Sequence, residues 1–230
     1  MGIRNLIRTI IREDNQLILE GWFHGSPDVR EVEKVGGFTN MKMVVDYVVD
    51  PNLYKDIQQR MKDARKTGNE DLYWKLLDEV PKLKKNYTYR KPLFLTDKFL
   101  VAKTYAVPKR AFDYQNAVEK VYEVDVDCNN VVKIMAIGKQ FKFIGVDKVK
   151  SGFMSAGISE NEIDKLINMF NYYIPDNKGV KTDVIAAIGN WLGFDCIDVI
   201  GVLDSYEGGS IKSTVRMVLD PTKVRIKKQL

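Results

Sequence analysis

The chain opens with apolar residues at Ile3, Leu6, Ile7, Ile10 and Ile11, with arginines between them. That spacing predicts an amphipathic helix over the first fourteen residues. QLILEGWFHGS alternates weakly and is rich in strand formers, which predicts a strand ending at His24. Pro27, Gly36 and Gly37 mark a loop, and MKMVVDYVV predicts a second strand. PNLYKDIQQRMKDARKTGNEDLYWKLLDEVPKLKK reads as two short charged helices broken at Thr67-Gly68-Asn69. This stretch, 51–90, is expected to be a basic helical hairpin inserted into one domain over 1–230.

YTYRKPLFLTD is expected to be extended, and DKFLVAKTYA to turn helical, with Thr96 or Asp97 as its N-cap. VYEVDVDCNNVVKIMAI predicts two strands around an Asn129-Asn130 turn. SENEIDKLINMFNYYI predicts a helix with Ser159 and Glu162 in capping-box spacing. KTDVIAAIGNWLG predicts another, closed by Gly193. CIDVIGVL and STVRMVLDP are expected to be the last two strands, joined by a loop DSYEGGSIK. Strands outnumber helices without a βαβ rhythm, so the expected class is α+β with a mixed or antiparallel sheet.

Composition narrows the function. The apolar fraction of 45% permits a sizeable core. Net charge is +5, and 51–91 carries 11 Lys and Arg against 6 Asp and Glu, leaving the rest balanced. A basic segment on a neutral body suits an acidic protein or a nucleic acid, or is a solvated helical surface. The tail KVRIKK adds charge but no motif. Cys128 and Cys196 are too few and too far apart for a zinc ligand set or a disulfide framework, so a reducing, cytoplasmic setting is expected. No apolar run approaches the ~20 residues that span a bilayer, so no membrane association is expected. Leu6 is not the Ser or Thr that N-myristoylation favours.

No P-loop, G-x-G-x-x-G, H-E-x-x-H or nucleophile elbow is present. One histidine and two distant cysteines cannot build a metal site. His24 is the only histidine. What remains is a site for a substrate that carries its own good leaving group.

Three ordered stretches change the odds: WFHGS at 22–26, PLFLTDKFLVAKTYA at 92–106, and GFDCIDVIGVL followed by STVRMVLDPTKVRI. Together they resemble the diphtheria-toxin-like ADP-ribosyltransferases, the branch that includes poly(ADP-ribose) polymerases and small phage and bacterial transferases. The resemblance covers the core but not 51–90, and it implies a two-sheet core. It implies NAD as substrate, with His24 on an adenosine-ribose hydroxyl and Gly25 holding the carboxamide. Ser26 and Thr96 would shape the site, and Tyr105 would stack on nicotinamide. Phe94 stands where the family has a tyrosine. The residue types suit this: glycine admits close backbone approach, and aromatic faces take flat heterocycles. A neutral imidazole both donates and accepts one hydrogen bond. His24 as a strand cap, and Phe94, Phe99 and Tyr105 as core, remain the alternative.

The family's late strand carries a glutamate that stabilises positive charge building on the ribose. Counting back from Pro221, that position is Val215. Three outcomes stay open, in this order. The chain is a mono-ADP-ribosyltransferase acting on a macromolecule, plausibly a protein in a phage host's cytoplasm, without that group. It is a silent NAD or ADP-ribose binder acting by protein contact. Or Glu207 or Asp204 swings in from the preceding loop. A basic nucleic-acid-associated role for 51–91 stands as a separate reading.

Overall fold

The run GSIKSTVRMV, which buries Ser213, Val215 and Met217 in alternation, forms the strand β10 (Gly209–Val218). It pairs antiparallel with β9 (Cys196–Tyr206), the longest strand described. The computed structural model describes residues 21–26, 41–106, 120–136, 141–174, 178–206 and 209–230. The expected first helix, the loop at Pro27, Gly36 and Gly37, and Glu207 lie outside the described residues.

The other strands of the main sheet are β1 (Trp22–Ser26), β4 (Leu93–Thr96), β5 (Lys120–Val126), β6 (Val131–Met135) and β11 (Val224–Gln229). Their order is β11-β5-β1-β4-β10-β9-β6. Every neighbouring pair is antiparallel except β6 with β9. Two short ribbons complete the strands: β2 (Lys42–Val48) with β3 (Lys84–Arg90), and β7 (Phe143–Ile144) with β8 (Val180–Lys181). The class is mixed α+β with a mostly antiparallel sheet. Among the described residues the strands form one seven-stranded sheet and two ribbons in place of two comparable sheets.

Between β2 and β3 lie α1 (Pro51–Lys66), α2 (Glu70–Leu77) and the single turn α3 (Val80–Leu83). The Asp50 side chain caps α1 by accepting from Leu53 N at 2.9 Å, and Asn69 caps α2 from Leu72 N at 3.1 Å. These helices bury Tyr54, Ile57, Met61, Leu76 and Val80 against Val48 in a small core of their own. The break at Thr67–Asn69 falls where the sequence puts it.

Helix α4 (Phe99–Ala106) follows β4, and α5 (Val146–Ser155), α6 (Glu160–Phe170) and α7 (Thr182–Trp191) are the remaining α-helices among the described residues. The main core gathers Ile163, Phe170, Ile185 and Ile188 from α6 and α7 against Ile134, Ile197, Val199 and Met217 of the sheet. Ser159 caps α6 by accepting from Glu162 N, and Gly193 takes φ +76° just beyond α7.

Three expectations are corrected, and a fourth is refined. β9 runs to Tyr206 and β10 starts at Gly209, so Asp204 is strand, paired with Ile211, and not part of a swinging loop. The expected strands β5 and β6 do flank Asn129-Asn130, but not as a hairpin: β5 pairs β1 and β11, and β6 pairs β9. The tail forms β11 along β5, because Val224 and Ile226 turn toward the sheet core while the lysines face out. Cys128 and Cys196 are joined by a disulfide with Cα atoms 6.0 Å apart. Separation along the chain was a poor guide, because Cys196 opens β9, next to the end of the β5–β6 connection.

Candidate functional site

The three stretches of the resemblance become neighbours. β1 pairs β4 at Phe23↔Thr96, and β4 pairs β10 at Thr96↔Val215. Val215 in turn faces Val199 of β9. Directly opposed residues point to one face of a sheet, so Phe23, Thr96, Val215 and Val199 form a single row across four strands. Gly25 shares that face with Phe23.

Helix α4 lies over this row. Phe23 is fully buried with Ala102, Ala106 and Val121 and meets Phe99 edge-on. Gly25 is glycine for a packing reason: a Cβ there would come within 1.7 Å of the Ala102 carbonyl oxygen and 2.9 Å of Ala106 N. Only a residue without a side chain lets the helix backbone settle so close to the strand.

The start of α4 is tied down from two sides. Buried Thr96 accepts from Lys98 N through Oγ1 at 3.2 Å. Asp97 accepts from Thr214 N at 2.8 Å, and its own N–H donates to Thr214 O at 3.2 Å. The N-cap itself is Lys98, whose carbonyl takes Val101 N and Ala102 N, so neither Thr96 nor Asp97 caps the helix as expected: Thr96 holds the turn before it and Asp97 holds β10.

His24 alternates to the face opposite Phe23, in register with Tyr122 of β5. Its Nδ1 lies 2.9 Å from the Phe94 carbonyl oxygen. A carbonyl only accepts, so Nδ1 carries the proton and donates. The β1–β4 ladder registers one pair, Phe23↔Thr96, and the imidazole takes the Phe94 carbonyl beyond it. Burial holds the His24 pKa below its ordinary 6.5, and the bond to Phe94 offsets this only in part. The ring is therefore neutral at pH 7.

Phe94 itself packs its ring against Phe141 at 5.5 Å, nearly perpendicular, on the edge of the main core. Ser26 ends β1 in register with Lys120. Val215 is 6% exposed and belongs to the main core, so the expected glutamate position is a packed valine. Its neighbours supply no free carboxylate. Arg216 holds Asp198 in a bidentate pair, Nε to Oδ1 at 2.6 Å and Nη2 to Oδ2 at 2.7 Å. The guanidinium also lies 4.1 Å over the Trp22 ring.

Tyr105 stands near the end of α4 with 47% of its surface exposed. It lies three residues after Ala102, so it shares a side of the helix with the contact to Gly25. Its hydroxyl donates to Asp204 Oδ1 at 3.2 Å, and the Ser213 hydroxyl donates to Asp204 Oδ2. Asp204 is buried. Partial burial, then the neighbouring carboxylate, push the Tyr105 pKa up to about 12.

The structure thus brings Gly25, Phe94, Thr96 and Val215 to one face of the sheet, with Tyr105 on the helix over it, and leaves His24 on the opposite face, tied to the Phe94 carbonyl. Asp204–Ser213 and Asp198–Arg216 were not read from the sequence as pairs. The signal was present: each is a lone carboxylate in the apolar run CIDVIGVLD, and a charge inside such a strand demands a partner. Comparison with protein-family models, with characterised proteins and with solved structures finds no match to this chain. Among the described residues, no three His, Cys, Asp or Glu gather as a metal site, and no helix is long and apolar enough to cross a membrane.

Proposed function

We propose that the chain is a mono-ADP-ribosyltransferase that uses NAD, with the nicotinamide half held against the exposed ring of Tyr105. The observation that carries this reading is the convergence of three distant stretches. β1, β4 and β10 lie side by side, and α4 crosses them with an exposed tyrosine next to a buried carboxylate. The Tyr105 ring supplies a flat surface for a heterocycle. Asp204 accepts from that ring's hydroxyl and is the carboxylate this reading gives the role of the absent glutamate.

The chemistry asked of these residues is modest. The bond between nicotinamide and ribose C1′ breaks, and nicotinamide leaves as a neutral base. The electron-poor C1′ forms a bond to the acceptor's nucleophilic atom, which gives up its proton. A fixed carboxylate beside the ribose stabilises the positive charge as it develops. His24, neutral and bonded through Nδ1 to the Phe94 carbonyl, holds the β1–β4 seam beneath the site. The acceptor is a protein surface. The inserted helices favour an acidic one, with Arg65 stacked 4.8 Å over Tyr73 and Trp74 59% exposed. A nucleic acid on the same helices is the competing acceptor, and steep weakening of binding with salt would select it.

A second reading has its own observation. Val215 is fully packed, and no carboxylate flanks it on β10, which favours a silent NAD or ADP-ribose binder. Labelled NAD with the protein and candidate acceptors separates the two. Transfer with nicotinamide release, cut about 10²–10³-fold in Asp204→Asn, supports the enzyme. Binding without any nicotinamide release supports the silent relative.

A further inference from the structure

A cavity of about 570 Å³ lies far along the chain from β1, β4 and β10, between α1, the start of α5 and the end of α6. None of the strands of the proposed NAD site contributes to it, so it stands or falls separately. Its size suits a small metabolite.

Its wall has two chemically distinct halves. One is the start of α5, where Gly145 is the N-cap and gives no side-chain cap to the first turn. Val146 and Asp147 of that turn line the cavity, so unpaired helix N–H groups and the positive end of the helix dipole border it. Lys55 from α1 and Lys178 stand on the same cavity. Two carboxylates are also present, but Asp164 is already answered by Lys150 at 2.9 Å. Two lysines and the helix start against Asp147 leave room for a doubly charged anion.

The other half is Asn171, at the end of α6. It is 6% exposed, and its Nδ2 donates to Gly179 O at 3.3 Å. That bond fixes the amide, because the reversed side chain would set oxygen against oxygen. Oδ1 is then buried with no hydrogen-bond partner. An orphaned buried acceptor is costly, and a donor from a ligand answers it.

We propose that this cavity binds a small hydroxylated phosphate, of the size of a pentose phosphate. The phosphate lies at the start of α5 between Lys55 and Lys178, and a ligand hydroxyl donates to Asn171 Oδ1. Neither inorganic phosphate nor a neutral sugar satisfies both halves.

The test is calorimetric titration of the full chain with ribose 5-phosphate, with inorganic phosphate and ribose as comparators. Ribose 5-phosphate is expected to bind saturably and at least about tenfold more tightly than either comparator, a gap of about 1.4 kcal/mol. The double variant Lys55→Ala, Lys178→Ala removes two exposed side chains and leaves the fold intact. It is expected to weaken binding at least about tenfold. Asn171→Leu, where it folds, is expected to erase the preference over inorganic phosphate. Absence of saturable binding, equal affinity for inorganic phosphate, or indifference to the lysine variant would each overturn the proposal.

Discussion

The hydroxyl of Tyr105 donates to Oδ1 of Asp204 across 99 positions of sequence. One bond thereby joins the helix that covers β1 to the long hairpin of β9 and β10. It also leaves the tyrosine ring half out in solvent with its hydroxyl turned inward. That combination, an exposed face and a fixed tip, is what a stacking residue needs.

Tyr105→Phe keeps the ring and removes the bond, at an expected cost of about 1 kcal/mol in denaturant unfolding. The alkaline behaviour follows from the raised pKa. A folded-state pKa of about 12 against an ordinary 10 means the unfolded chain loses its proton first as pH rises. This contribution is therefore complete below pH 10 and declines between 10 and about 12. Burial raises the pKa of Tyr89 and, less strongly, of Tyr54, Tyr87 and Tyr172 as well, so ultraviolet titration is expected to show several tyrosines ionising late in the wild type and one fewer in Tyr105→Phe.

His24 acts in the opposite direction on the pH scale. Its pKa is depressed below 6.5 in the folded chain, so the unfolded chain takes up a proton first as pH falls. Stability is complete above 6.5 and declines below it. Urea midpoints are expected to drop between pH 7 and pH 5, and the drop is expected to shrink in His24→Ala. The same variant orphans the Phe94 carbonyl and is expected to cost about 2 kcal/mol at pH 7. Ring ¹⁵N shifts are expected to report the Nδ1–H tautomer.

Gly25→Ala places a methyl group against the backbone of α4, which cannot swing aside as a side chain would. The expected loss is about 3 kcal/mol or more, read as a lowered thermal midpoint. The same substitution is expected to lower NAD affinity, because α4 must shift away from β1.

Much of this architecture was legible in the sequence, and the failures have physical causes. Helices α1, α2 and α6 carry side-chain caps and apolar faces that local chemistry alone specifies, and α7 is marked by its apolar run and by Gly193 beyond its end. Helix α5 was missed because Gly152 interrupts its stripe; the glycine is there to admit Ile134 and the Lys133 carbonyl of β6 at under 3 Å from where a Cβ would sit. β11 was missed because its alternation is short and lysine-rich, and its identity as a strand depends on β5. The pairing of Asp204 with Tyr105 and Ser213, and the disulfide, depend on which strands become neighbours. No local pattern encodes that.

Arg216 and Asp198 form a nearly buried pair beneath Trp22, with side chains 17% and 7% exposed. Removing one partner strands the other charge, so Arg216→Ala is expected to cost about 3–5 kcal/mol. The double change Arg216→Met, Asp198→Leu is expected to recover most of that loss, because no charge then stays buried alone. Thermal unfolding of the two variants against wild type measures the difference.

Calorimetric titration of the wild-type chain and of Tyr105→Ala with NAD bears most directly on the proposed site. Saturable binding by the wild type, weakened at least about tenfold when the ring is removed, is the expected result, since stacking of one flat heterocycle is worth about 1 kcal/mol beyond the burial it also supplies. An absence of NAD binding by the folded wild type, or equal binding by both chains, would contradict the placement of nicotinamide on Tyr105.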